Sequence, residues 1–362
     1  MKTTEPIQAV ILVGGEGTRL RPLTYTTVKA MVPVLNKPYI EYLIEHLSSH
    51  RIKESILAMG YRPDSIKEYF KDRTDLVKSL IYSLEQTPLG TAGAVKNAAD
   101  YIKKDRAFFV INGDIFTNLD FTAMIRFHHK VKAKVTIALT PVEDPSRFGV
   151  VDIDHDQRIH RFVEKPARNE APSNLVNAGT YILEPEILER IPESKKFMFE
   201  HDVFPKLIAD GLPVYGYPSS AYWTDIGTPE TYAKLNYDLL LGLSGLKKTI
   251  KQEIAIEKSS SVHPQAKLIG PIVVGANCSI GQGAQLDGPL IIGQNSNIGT
   301  NAKIHNSILW QNVNIKENST MQNCIIGRDV SIESDTILEN CIIGLDCNSQ
   351  ISKTTFIINK GG

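Results

Sequence analysis

The first stretch of this chain equipped for chemistry is Gly14-Gly15-Glu16-Gly17-Thr18-Arg19-Leu20-Arg21-Pro22. Its glycines bare a run of backbone N–H groups and let the chain approach a ligand closely. Arg19 and Arg21 add fixed positive charge that forks onto phosphate oxygens. Bare amides followed by arginine suit a triphosphate. Two familiar phosphate loops are excluded: no Gly-Lys-Ser/Thr ends the stretch, and Gly15-Glu16-Gly17-Thr18-Arg19-Leu20 lacks the third glycine of a dinucleotide fingerprint. A tight turn with solvated arginines is the plainer alternative. Two carboxylates stand out further on. Asp114 closes an apolar run as Asn112-Gly113-Asp114, and Asp225 lies in Tyr222-Trp223-Thr224-Asp225-Ile226-Gly227-Thr228-Pro229. An aspartate at a strand end is often only a turn or helix cap. The other use is Mg²⁺, which takes one or two carboxylates and completes its octahedron with phosphates and waters.

The longer pattern Gly-Gly-x-Gly-Thr-Arg-Leu-Arg-Pro-Leu-Thr from Gly14, followed by Lys29 and Asn36-Lys37-Pro38, resembles the signature of the sugar-1-phosphate nucleotidyltransferases. Within that family it looks most like the mannose-1-phosphate guanylyltransferase branch. The resemblance implies a Rossmann-like α/β nucleotidyltransferase domain followed by a left-handed parallel β-helix. It also implies a reaction, in which a sugar 1-phosphate attacks the α-phosphorus of a nucleoside triphosphate and pyrophosphate leaves. The nucleophile is already anionic near pH 7, because a phosphate monoester has a second pKa of ~6. No general base is needed; the protein must hold two polyanions in line and neutralise them.

Carried onto this chain, the resemblance assigns catalytic charge to Arg19, Lys29 and Lys165, and Mg²⁺ to Asp114 and Asp225. It places the nucleotide on Leu12, Gly14, Gly15, Gly17 and Thr18, and on a base-reading loop with Glu85, Pro88, Gly90 and Thr91. The hexose phosphate falls to Asn112, Gly149, Glu164, Lys165, Asn177 and Gly179. Around Lys29 the chain departs from the pattern, reading Val28-Lys29-Ala30-Met31 where prolines are usual. Uridylyl and thymidylyl members generally place glutamine where this chain has Glu85. Uracil and thymine present acceptor, donor and acceptor, which an amide matches. Guanine presents two donors side by side, and an ionised carboxylate only accepts. Glu85 therefore favours GTP, although cytosine's amino group also suits a carboxylate.

Three other readings are weighed against a GTP–mannose 1-phosphate enzyme. A glucose-1-phosphate uridylyl-, thymidylyl- or adenylyltransferase keeps the fold, and Glu85 argues against it. A non-catalytic, sugar-nucleotide-sensing regulatory subunit tends to lose a metal carboxylate or the signature lysine, and Asp114, Asp225, Lys29 and Lys165 are all present. An acyltransferase on the β-helix needs an inserted loop and usually a catalytic histidine, whereas the tail offers only His263 and His305.

The elements that must position these residues follow from periodicity. Apolar runs at 9–13, 55–60, 80–84 and 107–114 read as strands, and 38–49, 63–70 and 92–102 as helices between them. Such alternation argues for a parallel sheet, whose ligands bind outside the carboxyl ends of the strands. Gly14, Glu85 and Asp114 all follow strand ends. Residues 134 to about 216 are richer in strands and read as the sugar-facing half, closed by a helix over 228–241. The tail changes architecture. Val262, Leu268, Val274, Ile280, Leu286, Ile292, Ile298 and Ile304 recur every six residues, the hexapeptide repeat of a parallel β-helix with three flat sides per coil. Asn306-Ser307-Ile308-Leu309, Asn323-Cys324-Ile325-Ile326 and Asn340-Cys341-Ile342-Ile343 then recur every 17 residues. Expected boundaries are 1–245 for the transferase domain, 246–261 for a linker and 262–362 for the β-helix, which is expected to mediate a homo-oligomer, a dimer or tetramer.

Composition limits the partners. With 40 basic and 40 acidic residues in 362, no global field draws the chain to nucleic acid or membrane. Residues 1–6 are short and polar, so no signal peptide is expected, and no apolar run reaches membrane-spanning length. Cys278, Cys324, Cys341 and Cys347 contain no CxxC pair. Reduced, buried thiols in a cytoplasmic protein are the expectation, with Cys324 and Cys341 stacked on neighbouring coils and packing there rather than bonding.

Overall fold

The computed structural model describes residues 7–60, 63–71, 73, 79–245 and 252–345, with the backbone of 355–359. The chain divides into two compact units, and the division is not sequential. One unit comprises Met1–Gly15 and Ile40–Asp225, the other Glu16–Tyr39 and Ile226–Gly362. Among the described residues no helix is long and apolar enough to cross a membrane.

In chain order the elements are β1 (Gln8–Leu12), the short hairpin β2 (Pro33–Val34) and β3 (Lys37–Pro38), α1 (Tyr39–Ser49), β4 (Glu54–Met59) and α2 (Asp64–Phe70). Next come β5 (Ser79–Leu84), α3 (Gly90–Asn97), β6 (Phe108–Asn112), β7 (Ile115–Thr117), α4 (Phe121–Val131) and β8 (Val135–Pro141). The rest are β9 (Gly149–Ile153), β10 (Ile159–Glu164), β11 (Leu175–Leu183), α5 (Phe204–Ala209), β12 (Val214–Pro218), β13 (Trp223–Asp225) and α6 (Pro229–Leu241).

The first unit is built on one sheet with the path β10-β9-β11-β6-β1-β4-β5, with β8 and β12 joined beside β11. Strands β5, β4, β1 and β6 are parallel. The chain moves outward from β1 through β4 to β5, then returns to place β6 on the other side of β1. That reversal makes the carboxyl ends of β1 and β6 the switch point of the sheet, where open α/β folds leave a ligand crevice. Strand β11 lies antiparallel to β6, so its beginning rather than its end comes to the same edge. The core beneath is Val10, Ile56, Val95, Phe108, Val110, Tyr181, Phe199 and Phe204 with their neighbours.

Local chemistry moves several boundaries. The apolar run expected as one strand over 107–114 is cut at Gly113, whose N–H donates to Leu12 O at 2.9 Å and turns the chain. A Cβ there would sit 2.6 Å from that carbonyl, so only glycine fits. The helix expected over 92–102 starts earlier, at Gly90, and gives way to a single 3₁₀ turn over Ala99–Tyr101. Its start is fixed from outside, because Phe197 O accepts from both Ala92 N and Gly93 N. Helix α6 has Thr228 as its N-cap, Pro229 in its first turn and Gly242 in the left-handed conformation after it.

In the second unit three parallel sheets wrap one aliphatic core. Val262, Ile280, Ile298, Ile315 and Ile332 stack on one side, and Leu268, Leu286, Ile304, Met321 and Leu338 on the next. Val274, Ile292, Leu309, Ile326 and Ile343 fill the third. Three hexads make a coil. The change to 17 is one residue lost at one corner: Gly288-Pro289-Leu290 there gives way to Asn306-Ser307, with Asn306 at φ 43°. Asparagine tolerates that left-handed geometry, and its amides form ladders along the corners, such as Asn277 to Asn295 at 3.2 Å and Asn295 to Asn312 at 3.1 Å. The coil starts before the expected 262. Ile254–Ile256 already pairs with Ile272–Val274, so this strand of the expected linker is part of the β-helix. Cys278, Cys324 and Cys341 are buried thiols, in no disulfide, and burial pushes the Cys324 thiol up to about 11. Cys347 lies outside the described residues.

Candidate active site

In the first unit the residues expected to bind substrate come together at the switch-point edge. Gly14 and Gly15 lie two and three residues past the end of β1 and are exposed. Glu85 follows β5, and its carboxylate reaches back: a Cβ at Gly14 would lie 3.5 Å from Glu85 Oε1. The other oxygen, Oε2, accepts from Leu89 N at 2.9 Å and so shapes its own loop. Burial pushes the Glu85 carboxyl above its ordinary range, and the Leu89 hydrogen bond pulls it partly back.

The two aspartates are brought together by register. Strand β13 pairs antiparallel with β7, and Asp225 stands opposite Ile115, the residue after Asp114. Both carboxylates are half-buried. Asn112, two residues before Asp114, carries a buried Oδ1 with no hydrogen-bond partner among the described residues. Two carboxylates and a neutral amide oxygen are hard oxygen donors, a set that fits a divalent cation of the Mg²⁺ type, which keeps phosphate and water in its shell.

The sugar-side residues assemble around two glycines. At Gly179, φ is +67° and an added Cβ would lie 2.8 Å from Asn112 Nδ2, so the strand bulges to admit Asn112. The turn is held by Asn177, whose Oδ1 accepts from Gly179 N at 2.9 Å. Gly149 pairs with Glu164 across β9 and β10, and a Cβ there would meet Phe162 at 2.6 Å and Glu164 Oε2 at 2.8 Å. Lys165 follows with φ 47°, its N–H on Phe148 O at 3.0 Å and its ammonium 3.3 Å from Glu164 Oε1. Glu164 is 14% exposed and Lys165 65%, so the lysine side chain reaches the surface while the glutamate lies against the glycine. A lysine at positive φ costs conformational energy and persists only where its surroundings hold it, here through the Phe148 carbonyl.

Two side chains outside the expected set hold this arrangement. Trp223, two residues before Asp225, donates its indole N–H to Ala178 O at 2.9 Å and meets the Phe148 ring edge-on at 5.4 Å. Its place in the Tyr-Trp-Thr-Asp motif was the available signal. Glu200 sits in a single wide π-helical turn over Phe199–Val203, a feature frequent at functional sites. It accepts from Thr91 Oγ1 at 2.8 Å and from Tyr181 OH at 3.2 Å, while Tyr181 OH accepts from Asn177 Nδ2 at 2.9 Å. Burial pushes the Tyr181 hydroxyl well up, so it remains a donor. Thr91, expected on the nucleotide, thus has its hydroxyl on Glu200 and also accepts from Phe199 N at 2.9 Å. Gly90 (φ 74°) faces Phe197 O, 2.7 Å from an added Cβ, while Pro88 is exposed. No residue pattern flagged Glu200, one charged residue among several between Phe199 and Phe204.

The second unit carries the signature segment. Gly17, at φ 65°, lies against Lys29: a Cβ there would come within 3.1 Å of both Lys29 Cβ and Thr24 Cγ2. Thr24 donates to Gly17 O at 2.7 Å, and Leu20 N donates to the same carbonyl at 2.9 Å. Thr18 and Arg19 are exposed on the 3₁₀ turn Thr18–Leu20, while Leu20 is buried. Lys29 opens the third 3₁₀ turn of the segment, Lys29–Met31, with Val28 and Ala30 buried on either side. The residues standing where prolines are usual therefore anchor the lysine by burial.

Comparison with known proteins places these features in company. Residues 8–241 match the family model described as nucleotidyl transferase, and residues 251–356 match the EIF2B subunit epsilon LbH domain, a left-handed β-helix. The chain is 37% identical over 281 residues to a mannose-1-phosphate guanylyltransferase of Mycobacterium tuberculosis, covering 77% of each chain. It is 38% identical over 279 residues to a mannose-1-phosphate guanyltransferase of Schizosaccharomyces pombe, covering 75% of this chain and 74% of that one. Among solved structures it resembles HddC from Yersinia pseudotuberculosis, complexed with GMP-PN, at TM-score 0.56 and 35% identity over 64% of this chain and 99% of that one.

Proposed function

The chain belongs to the nucleotidyl transferase family, and from that premise we propose that it forms GDP-mannose and pyrophosphate from GTP and mannose 1-phosphate. The observation that carries the base choice is Glu85, a carboxylate fixed through Leu89 N beside Gly14 at the carboxyl edge of the sheet. The names of the relatives support the same pair of substrates. Family members generally use a divalent metal; here we read Mg²⁺, held by Asp114 and Asp225. When bound it neutralises phosphate charge and orients the reacting groups.

The chain's own residues supply the rest. Leu12, Gly14, Gly15, Gly17 and Thr18 offer the nucleotide backbone amides and close approach, and Arg19 and Lys29 offset the charge of the triphosphate as pyrophosphate leaves. Lys165 holds the sugar phosphate, whose anionic oxygen attacks without a base. Glu164 and Asn177 face the hexose, and Asn112 offers its unpartnered amide oxygen to the sugar or the metal shell. The functional division we read is transfer in 1–245 and self-association through the coil as a homo-oligomer, in the cytoplasm.

The test is pyrophosphate release with Mg²⁺, crossing GTP, ATP, UTP, dTTP and CTP against mannose 1-phosphate and glucose 1-phosphate. GTP with mannose 1-phosphate is the expected pair. Preference for UTP or dTTP with glucose 1-phosphate overturns the base assignment, and no turnover in any combination overturns the reading as an enzyme.

A further inference from the structure

The segment Glu16–Tyr39 groups with the β-helix and α6, not with the sheet from which it emerges. Its anchors explain why. The residue after each stacked aliphatic on the third side of the coil is Gly275, Gly293, Trp310, Gly327 and Gly344, a glycine column broken once. Gly344 lies under Pro22, where an added Cβ would come within 3.0 Å of Pro22 O, and a Cβ on Gly327 would touch Leu23 at 3.6 Å. The exception, Trp310, is 2% exposed and donates its indole N–H to Tyr232 OH at 2.9 Å; Tyr232 in turn donates to Pro33 O. Elsewhere along the segment Arg328 donates to Thr27 Oγ1 at 3.2 Å, Asn36 Nδ2 donates to Ile292 O at 2.8 Å, and Leu35 N donates to Asn236 Oδ1 on α6 at 3.0 Å. Five points along the segment, Pro22, Thr27, Pro33, Leu35 and Asn36, are thus held by the coil or its helix. Arg19 lies three residues before the first, and Lys29 two residues after the second.

We propose that this glycine–tryptophan column is a template that sets the conformation of the signature segment, so that the β-helix is a working part of the transferase as well as a surface for self-association. The inference rests on the function proposed above for Arg19 and Lys29. Arg328 and Trp310 are positioning residues: they touch the segment or its tether and act through it. A backbone held by many weak contacts opens locally when one strong contact is lost. A hydrogen bond from a charged group is among the stronger ones.

The test uses the full chain, with Arg328→Ala and Trp310→Phe as the variants and Lys316→Ala, in an exposed ion pair with Glu333 elsewhere on the coil, as the control. Hydrogen exchange over residues 22–36 is expected to quicken about tenfold in both variants and not in the control. In active protein kcat is expected to fall about tenfold, while KM for mannose 1-phosphate stays within about twofold, since its residues lie in the other unit. Unchanged exchange with kcat within about twofold of wild type, in variants that keep their circular dichroism and melting temperature, overturns the proposal. So does movement of either readout alone. Should Arg328→Ala not fold, Trp310→Phe decides, since it keeps an aromatic ring in the core while removing the N–H donor to Tyr232. If wild-type protein turns over no substrate pair, the functional reading has failed, and exchange alone decides whether the coil holds the segment.

Discussion

Replacing Glu85 by glutamine isolates the base-reading argument. The amide keeps a carbonyl for Leu89 N, now 2.9 Å from Glu85 Oε2, so the loop retains its internal bond. What changes is the group on the side of Gly14, where an acceptor becomes an NH₂ donor. Guanine offers donors at N1–H and the exocyclic amine, so it loses a charge-assisted pair and meets a donor instead. Hydrogen bonds to a charged group contribute about 1.5–3 kcal/mol each, so kcat/KM for GTP should fall roughly 10- to 150-fold. UTP and dTTP, which present acceptors beside their N–H, should lose little or gain. Stability should not fall, because the raised carboxyl of Glu85 marks a charge whose burial opposes folding. That raised value adds a pH signature: GTP affinity should weaken as pH falls through a point above the ordinary glutamate value, and this dependence should vanish in the variant. Pyrophosphate release across the five nucleotides, from pH 4.5 to 8 (roughly the range over which the fold is expected to persist), measures both. A GTP/UTP ratio that moves less than about twofold in folded Glu85→Gln would falsify the assignment.

Three further outcomes are expected. Asp225→Ala should cut turnover on the order of 10²–10³-fold or more with an unchanged circular dichroism spectrum, since the β7–β13 pairing is made by backbone; near-normal turnover removes Asp225 from the metal site. Glu200→Ala strands the hydroxyls of Thr91 and Tyr181, which should cost roughly 1–3 kcal/mol for each orphaned group in urea unfolding and raise KM for the sugar phosphate through Asn177. A variant as stable as wild type with an unchanged KM refutes that relay. His128 is buried between Thr136 and Glu184, and burial pushes its imidazole down to about 3. It folds neutral, whereas the unfolded chain takes up a proton near 6.5. Its contribution is therefore full above pH 6.5 and is lost as pH falls from there towards 3, on the order of a few kcal/mol in all. Urea midpoints from pH 7 to 4 measured on wild type and His128→Gln should diverge in that direction (the range is roughly where a lowered histidine titrates); parallel curves refute it.

Periodicity made much of the fold legible. A six-residue aliphatic spacing admits one kind of coil, because side chains at that interval point inward from three successive sides and return to the same line after three steps, as Val274 does in stacking on Ile292, with Leu309, Ile326 and Ile343 following one residue sooner per coil. The alternation of apolar strand and amphipathic helix in the first hundred residues likewise has one economical solution, a parallel sheet with Gly14, Glu85 and Asp114 along one edge. Residue chemistry also spoke for itself: a carboxylate only accepts and bare amides only donate.

Tertiary structure decided what those residues face. Nothing local pairs Asp225 with Ile115, fits Asn112 into the gap at Gly179, or sets Glu200 between Thr91 and Tyr181, because each contact joins segments far apart in the chain whose meeting depends on the whole sheet order. The same holds for the signature segment. Its glycines and arginines announce a phosphate loop from sequence alone, yet its partners Gly344 and Arg328, and Trp310 behind its tether Tyr232, lie about three hundred residues downstream in repeats that read locally as coil and nothing more. Periodic spacing expresses local backbone geometry, which a few residues determine between them. Which surface a loop settles on is a competition among distant partners, settled by close approach and hydrogen bonding that exist only once both are folded.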